Sequence, residues 1–292
     1  MTEPGAAGIL SMVGTPIGNL SDASPRVRDV LSRADVVLCE DTRVTGKLLS
    51  AFDIHVSLQR CDENVMSERI APTLERIANG DRVAFASDAG MPSVSDPGQR
   101  LVDAALDAGL PVEVIPGPSA VTCALVASGI ACEHFFFEGF LPRKHAAQFE
   151  RLNELAAIPG ALVVYESPRR VAATLQTVAE VMPARRVALV RELTKIHEEV
   201  VRDLAPALAE AIASREEIRG ECVIVIAPPT SAEWEARRRG ASDDAGLTLD
   251  EEIVRGLSEG EPKTVLAKRL ARSFSLGRAE VYDRVVELSS TE

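Results

Sequence analysis

Small, polar and acidic residues directly follow several short apolar runs of this chain. Gly14 and Gly18 flank a loop after the first run, residues 87–90 (Ser-Asp-Ala-Gly) follow a later run, and residues 116–120 (Pro-Gly-Pro-Ser-Ala) follow a third. Glycine lets a backbone approach a ligand closely, and aspartate supplies a carboxylate. If the runs are strands, three such loops side by side predict a cradle for a small, polar, nucleotide-sized ligand.

Charged residues cluster in three further motifs, each close to the end of an apolar run. Carboxylates there could move a proton, and arginine side chains match phosphate oxygens. Each residue taken singly is more often half of a surface ion pair, so the clusters carry more weight than their members. The motifs are Glu40, Asp41 and Arg43; Glu166, Arg169 and Arg170; and Lys195, His197 and Glu198.

Strand-length apolar runs alternate with longer segments of helical character, which predicts an α/β fold with largely parallel sheets covered on both faces. The predicted strands are 9–13, 36–39, 54–58, 83–86, 112–115, 135–137, 161–165, 187–190 and 222–227. The predicted helices include 65–78, 99–108, 120–127, 146–155, 170–182 and 205–215. We therefore expect an N-terminal α/β domain (1–117) and a C-terminal α/β domain (118–228) with a cleft between them.

A charged, apolar-poor segment at 229–248 is predicted to be a linker, and residues 249–292 are predicted to form a small all-helical domain. Val265, Leu266, Leu270 and Phe274 fall near helical spacing, and the sequence SFSLG then interrupts the helix. Two short helices around a glycine-bearing turn are typical of a helix-turn-helix. The alternative is a helical cap that packs on the rest of the protein.

Composition restricts the class of protein. The 292 residues are 46% hydrophobic and 26% charged, as in globular domains, and the formal net charge of −12 argues against a general nucleic-acid coat protein. No apolar run is long enough to span a membrane, and the N-terminus lacks the features of a secretory signal. The five cysteines form no CxxC pair and the four histidines show no paired-ligand spacing, which predicts reduced thiols, a cytoplasmic location and no metal site.

Seven segments occur in a fixed order: VGTPIGNLSDASPR, CEDTR, SDAGMPSVSDPG, PGPSA, YESPRR, LTKIHEE and GECVIVIAP. Together they resemble the tetrapyrrole-methylase superfamily, and more closely its branch that methylates ribosomal RNA. This resemblance implies two α/β domains with S-adenosylmethionine in the cleft and a homodimer. It also implies methylation of the ribose 2′-hydroxyl of cytidine 1402 in 16S rRNA of the small ribosomal subunit. Tetrapyrrole enzymes usually carry a GxGxGD-like first loop; GTPIGN departs from it, which favours the ribosomal substrate.

The resemblance and the residue types together assign candidate site residues. One group is expected to bind the cofactor, and a second group is expected to contact RNA phosphates. The third comprises the residues expected to help the sugar hydroxyl, although no feature identifies the base. The cofactor group is Pro16, Ser87, Asp88, Ala89, Gly90, Pro118, Ser119 and Ala120; the RNA group is Arg43, Arg143, Lys144, Arg169 and Arg170; the third group is Lys195 and Glu198.

The segment from Lys263 to Arg284 contains six basic residues and two acidic ones, which predicts a basic stripe able to contact RNA. The alternative is a solvated helix face. Two other functions remain open. The first is methylation of a porphyrinoid or another small molecule, which needs no basic stripe. The second is a non-catalytic DNA-binding regulator, which leaves the strand-end loops unexplained. A Rossmann dinucleotide site is weakly matched, because GTPIG lacks one glycine of that pattern.

Overall fold

The structure is a computed structural model that describes residues 8–92, 98–235, 249–274 and 276–289. The chain divides into two compact units, Met1–Pro229 and Thr230–Glu292. Across the described residues, every helix is too short or too polar to cross a lipid bilayer.

The first sheet of unit 1 is parallel throughout, with the strand order β3-β2-β4-β1-β5. Its strands are β1 (Ile9–Val13), β2 (Val36–Cys39), β3 (Leu58–Arg60), β4 (Arg82–Ala86) and β5 (Val112–Ile115). The helices between them are α1 (Pro25–Ser32), α2 (Thr42–Ala51), α3 (Met66–Ala78) and α4 (Gly98–Asp107). Alternate residues of β1 enter two different cores, Met12 on one face and Val13 on the other, so the sheet is buried on both faces.

The second sheet has the order β6-β7-β10-β8-β9, and only β6 and β7 run parallel. Its strands are β6 (Phe135–Phe140), β7 (Ala161–Glu166), β8 (Arg186–Arg191), β9 (Glu199–Leu204) and β10 (Cys222–Ile226). The associated helices are α5 (Ala120–Ser128), α6 (His145–Leu155), α7 (Val171–Val181) and α8 (Ala205–Ala213). Ile17, from the loop after β1, is 7% exposed and packs in the core beneath α5, which ties the two sheets together.

The predicted fold class is confirmed, but two details of the sheets differ from the sequence-based expectation. The strand predicted at 54–58 starts only at Leu58, because Ile54 and Val56 pack against the core from irregular backbone. β9 was not predicted, since this edge strand is mostly exposed and carries charged residues along its length. It forms a hairpin with β8, and β10 enters antiparallel between β7 and β8, so the second sheet is mixed rather than largely parallel.

Unit 2 contains α9 (Leu249–Ser258), α10 (Lys263–Ser273) and α11 (Arg278–Ser289) around a small apolar core. The predicted break at SFSLG is present between α10 and α11, although Ser275 lies outside the described residues. Leu266 and Leu270 are buried in this core, whereas Val265 is 54% exposed. Most of the predicted linker, residues 236–248, also lies outside the described part of the chain.

Candidate active site

Three loops from the carboxyl edge of the first sheet meet at one place. Thr15 and Gly90 exchange two backbone hydrogen bonds, 2.9 and 3.1 Å long, and the Thr15 hydroxyl donates to the Ser87 carbonyl at 3.0 Å. The Gly14 amide donates to the Ile115 carbonyl at 2.9 Å. The loops after β1, β4 and β5 are thus fastened to one another by their backbones, as their positions after parallel strands predict.

Two glycines permit this close approach. A Cβ atom on Gly14 would lie 2.6 Å from the Gly117 nitrogen, and a Cβ atom on Gly117 would lie 2.6 Å from the Gly14 carbonyl carbon. Both contacts are with backbone, which cannot rotate away as a side chain can. Gly90 has a φ of +81°, a conformation that side-chain-bearing residues rarely adopt.

A cavity of about 650 Å³ opens between the two sheets of unit 1. Six of the eight residues predicted to bind a cofactor line it, which are Ser87, Asp88, Ala89, Gly90, Ser119 and Ala120. Pro16 and Pro118 are not among the lining residues. Pro16 precedes the lining residue Ile17, and the Pro118 carbonyl oxygen lies 3.4 Å from where a Cβ of Gly90 would be.

The cavity is acidic. Four carboxylate residues line it, and the described lining residues include no lysine, arginine or histidine. Around them, apolar side chains such as Ile17, Val190 and Leu193 form walls that would exclude water from a bound ligand. Arg170 and Lys195, which lie outside the lining, pair with two of these carboxylates, so the cavity carries less than the full charge of four. The remaining negative charge and the apolar walls favour a ligand with both an apolar part and a positive charge. The carboxylates belong to Glu40, Asp88, Glu166 and Glu221.

Asp88 connects neighbouring strand ends. Its Oδ1 accepts a hydrogen bond of 3.1 Å from the Asp41 amide at the end of β2, in addition to lining the cavity. Asp41 itself is paired with Arg43, whose Nη2 lies 2.6 Å from Oδ2. That side-chain hydrogen bond, with a backbone one from Arg43, holds the pKa of Asp41 well below its usual range. Arg43, predicted to contact RNA, is highly exposed and held by this carboxylate.

Aromatic side chains form one wall of the cavity. Phe140 and Tyr165 both line it, with ring centroids 5.8 Å apart in an edge-to-face arrangement, and Phe137 packs on Tyr165 at 4.8 Å. Burial raises the pKa of Tyr165, and the negative charge of Glu221 adds to the effect. Tyr165 therefore stays neutral at physiological pH and acts as a wall rather than a base.

Arg170, predicted to contact phosphate, is largely engaged within the protein. Its Nη2 lies 3.0 Å from the carbonyl oxygens of both Leu141 and Pro142, and 3.2 Å from the buried carboxylate of Glu166. The same oxygen of Glu166, Oε2, accepts from the Thr174 hydroxyl at 2.7 Å, and Oε1 accepts from the Ser167 amide at 2.8 Å. Arg170 thus links the end of β7 to the segment after β6, and Arg169 next to it is exposed.

The two residues predicted to help the hydroxyl lie in the loop between β8 and β9. Lys195 Nζ donates to Glu192 at 2.8 Å and to Glu221 at 2.9 Å, and Glu198 accepts from the Thr194 amide at 2.6 Å. Burial alone would lower the pKa of Lys195, but the hydrogen bonds to the two glutamates outweigh it and raise the pKa. Lys195 is therefore protonated at neutral pH and cannot accept a proton. Neither residue is among those that line the cavity.

Positive charge lies outside the acidic cavity. Arg143 and Lys144 are exposed just after Phe140. A second cavity, of about 540 Å³, shares Pro168 and Gly220 with the first, so the two adjoin. Its lining includes the three arginines Arg169, Arg215 and Arg219, together with Glu216 and Glu217.

The basic stripe predicted in unit 2 is partly neutralised. Arg269 bonds to Glu261 and Glu252, and Arg284 bonds to Asp250 and Glu287. All four acidic partners lie outside the segment 263–284 in which the basic residues were counted. The count along the sequence therefore overstates the free positive charge, and the predicted contact of this unit with RNA stays a prediction.

Sequence reasoning missed the part of the site that β10 supplies. Residues 220–223 line the cavity because β10 runs antiparallel, which places its start level with the ends of β7 and β8: Cys222 pairs with both Glu166 and Arg191. A search at strand ends alone cannot find a site at a strand start. The available signal was the motif GECVIVIAP, which begins at Gly220; in the structure this glycine has a φ of +85°, and a Cβ on it would lie 2.3 Å from the Glu192 side chain.

Comparison with known proteins assigns the family. The profile of the family described as Tetrapyrrole (Corrin/Porphyrin) Methylases matches residues 10–209, which covers more than half of the chain. The chain belongs to the tetrapyrrole methylase family. The loops around the acidic cavity are therefore the strand-end loops of a tetrapyrrole methylase.

This tetrapyrrole methylase is similar to curated proteins named ribosomal RNA small subunit methyltransferase I. The one from Mycobacterium tuberculosis (strain ATCC 25618 / H37Rv) is 48% identical over 225 residues, which cover 76% of this chain and 78% of that protein. The one from Xylella fastidiosa is 39% identical over 289 residues, covering 97% of this chain and 99% of the relative. The second alignment includes unit 2 as well as unit 1.

Solved structures share the fold of this methylase at low sequence identity. Diphthine synthase matches with a TM-score of 0.60 at 16% identity, covering 80% of this chain and 95% of that one. Cobalt precorrin-4 methyltransferase CbiF matches with a TM-score of 0.57 at 18% identity, covering 75% and 94%. A uroporphyrin-III C-methyltransferase from Thermus thermophilus, complexed with S-adenyl homocysteine, matches with a TM-score of 0.51 at 21% identity. The match covers 75% of this chain and 97% of that one.

Proposed function

We propose that this chain is an S-adenosylmethionine-dependent methyltransferase of 16S rRNA that modifies the ribose 2′-hydroxyl of cytidine 1402 in the small ribosomal subunit. The name shared by its relatives supports the RNA substrate. The observation that carries the proposal is the acidic cavity, which backbone loops enclose and in whose described lining no basic side chain occurs. Such a lining suits a cationic cofactor and disfavours a free phosphate.

The cavity fits S-adenosylmethionine in size and chemistry. Its volume of about 650 Å³ lies within the range of small-molecule sites. The apolar walls suit the adenine ring, and the carboxylates suit the positive sulfonium and ammonium groups. We assign cofactor binding to Ser87–Gly90, Ser119 and Ala120, with Pro16 and Pro118 shaping the loops from behind.

S-adenosylmethionine held by these residues would supply a methyl group to the sugar oxygen: sulfur would keep the electron pair of the broken carbon–sulfur bond, and the hydroxyl proton would pass to solvent. The protein's main contribution is to hold the two groups in line and keep water from the methyl carbon. Lys195 does not line the cavity, so we assign it a positioning role: its Nζ holds the carboxylate of Glu221, which does line the cavity, and Glu198 fixes the same loop through the Thr194 amide.

Recognition of RNA must overcome a net charge of −12. We assign the phosphate contacts to exposed cations outside the cavity, chiefly Arg143, Lys144 and Arg169, with Arg43 contributing from the end of β2. An acidic surface around a few cations disfavours unstructured RNA and favours a structured substrate whose shape complements the protein. The assembled small subunit is such a substrate.

We further propose that the enzyme is a homodimer in the cytoplasm. Val126 of α5 is a large apolar residue that is 84% exposed, and contact with a second copy would cover it. Cys39, Cys61 and Cys222 are free and buried, as expected for a protein of a reducing compartment. Light scattering of the purified protein tests the dimer.

The decisive experiment incubates the protein with methyl-labelled S-adenosylmethionine and small ribosomal subunits that lack this modification. Nuclease digestion and mass spectrometry then locate the label. Label on the ribose of one decoding-region cytidine is the expected result. Cofactor binding without label on the subunit, together with label on a porphyrinoid offered in its place, would overturn the RNA substrate and favour the small-molecule alternative.

A further inference from the structure

Phe140 combines exposure with a place in the cavity wall. It is 61% exposed, although it is a large apolar residue at the end of β6, and it lines the acidic cavity. Burying such a ring would be favourable by about 2–3 kcal/mol, so an exposed ring at a cavity mouth indicates a partner that covers it. Phe140 is not among the residues assigned to the cofactor, which are Ser87–Gly90, Ser119 and Ala120, and an apolar ring makes no phosphate contact.

A β-bulge orients this ring toward the cavity. The pairing of β6 with β7 shifts between Phe137 and Gly139, so that Phe137 pairs with Val163 and Phe140 with Tyr165. Val163 and Tyr165 are two residues apart and share a face of the sheet, and the bulge brings Phe137 and Phe140 to that same face. In a regular strand, side chains three residues apart would point to opposite faces. Gly139 makes the bulge possible with a φ of +77°.

One side chain contacts the ring, and two others fix the backbone that follows it. Tyr165 packs edge-on against it at 5.8 Å, and Arg170 fixes the next two residues by bonding to the carbonyls of Leu141 and Pro142. The Gln148 side chain donates to the Pro142 carbonyl at 3.4 Å. An exposed ring on such a support has little mobility left to lose when a ligand binds, which favours stacking.

We propose that Phe140 stacks on the base of the nucleotide that is methylated. For its ribose hydroxyl to enter the cavity, that nucleotide must leave its neighbours, and a base removed from its stack needs another flat apolar surface. Arg143 and Lys144, three and four residues after Phe140, are exposed, and we assign them to the phosphates beside the stacked base. The inference rests on the proposed RNA substrate and assigns to it a base-binding surface.

Substitutions at Phe140 separate stacking from simple packing. Phe140→Ala and Phe140→Leu are expected to lower kcat/KM for small subunits by about 5- to 150-fold, the range that a stacked base contributes. Phe140→Tyr and Phe140→Trp should stay within about threefold of wild type, because any aromatic ring offers a π face. Phe135→Ala is the matched control: Phe135 is exposed on the same strand but lies outside the cavity lining and should leave kcat/KM unchanged.

A fluorescence measurement tests the inference without methyl transfer. The measurement uses a Trp234→Phe background, which removes the single tryptophan of the chain. In this background the tryptophan fluorescence of the Phe140→Trp variant should be quenched when small subunits bind, and that of the Phe135→Trp variant should not. Quenching is the expected result. Full activity of Phe140→Leu, absence of quenching despite binding, or an equal loss of S-adenosylmethionine affinity in Phe140→Ala would each overturn the base-stacking role. A wild-type enzyme that binds the cofactor but labels no RNA would instead contradict the proposed function.

Discussion

At the scale of single residues, the site depends on glycines, which have no Cβ atom, at the points where its loops approach one another. Gly14 and Gly117 bring two backbones to a distance at which no Cβ atom fits, and this contact joins the first and third loops of the cavity. The functional consequence is indirect, since neither glycine lines the cavity. They set the spacing of the loops that do.

Gly14→Ala and Gly117→Ala should both separate these loops. We expect S-adenosylmethionine affinity to fall by about tenfold or more, with a loss of stability of about 1–3 kcal/mol, because the clash is with backbone. Isothermal titration and urea unfolding measure the two effects. Gly46→Ala is the control: Gly46 lies inside α2 with its nearest neighbour 3.7 Å from the new Cβ, and alanine should stabilise the helix by about 1 kcal/mol. Unchanged cofactor affinity in both loop variants would contradict this role.

The pairing of Lys195 with Glu192 predicts a pH-dependent contribution to stability. The hydrogen bond from Lys195, followed by that from the Glu221 amide, lowers the pKa of Glu192 below its ordinary value of 4.5. A carboxyl group with a lowered pKa in the folded state adds stability above pH 4.5, and this stability is lost as the pH falls through the folded-state pKa. Both side chains are largely buried, at 29% and 19% exposure for Lys195 and Glu192.

Lys195→Met should therefore destabilise the protein by about 1 kcal/mol near pH 7, and the difference from wild type should shrink as the pH falls below 4.5 and through the lowered pKa of Glu192. Urea unfolding at a series of pH values measures it. Lys195→Arg keeps the charge and should lose less. A difference that stays constant across this range would show that the ion pair does not cause it.

At the scale of secondary-structure elements, the cavity depends on how β6, β7 and β10 are connected and oriented. The antiparallel insertion of β10 brings a strand start to the cavity, and the bulge in β6 brings Phe140 there. Arg170 links two of these elements, because it joins buried Glu166 at the end of β7 to the carbonyls that follow β6. Two adjacent arginines, Arg169 and Arg170, thus have different environments.

Arg170→Ala should lower the free energy of unfolding by about 2–4 kcal/mol, because it leaves two carbonyls and a buried carboxylate short of a donor. Arg170→Lys should recover part of this, since an ammonium group can satisfy some of the acceptors. Arg169→Ala is the control and should change stability by less than about 0.5 kcal/mol, because Arg169 is exposed. Equal stability of the two alanine variants, measured by urea unfolding, would argue against the link.

At the scale of the whole molecule, charge is separated between an acidic interior and exposed cations. The chain carries −12 overall, and four carboxylate residues line the cavity. The long-range field therefore repels RNA, and a few exposed cations must provide the local attraction. This arrangement predicts a weak dependence of binding on salt for a protein that acts on RNA.

The slope of log K against log salt for small-subunit binding should be about −2 to −3, as expected for contacts from Arg143, Lys144 and Arg169. Arg169→Ala should reduce its magnitude by nearly one unit. Filter binding between about 50 and 200 mM salt measures this. Arg33→Ala removes the same charge from the far end of α1, where Arg33 pairs with Asp29, and should leave the slope unchanged. A slope near zero for wild type would contradict phosphate recognition by these residues.

Much of the fold and part of the cavity lining could be predicted from the sequence, for a local reason. Buried strands such as β1 and β4 are continuous apolar runs, and small and acidic residues follow the strands, so Ser87–Gly90 and Ser119–Ala120 could be named as candidates and do line the cavity, while their binding of a cofactor stays a prediction. β9 could not be found in this way, because an exposed edge strand shows no apolar run. The charge of unit 2 was overestimated, because a count along the chain does not include partners from other helices.

The sequence by itself determined which segments are buried and where the strands of the first sheet end. It also determined that small and acidic residues follow these strand ends. These properties depend only on local composition and on the periodicity of apolar residues. Only the tertiary structure decided which residues the cavity brings together. The direction of β10, the bulge that orients Phe140, and the partners of Arg170 and Lys195 depend on pairing between segments distant in the chain. Such pairing is set by packing of the whole domain, and no local pattern records it.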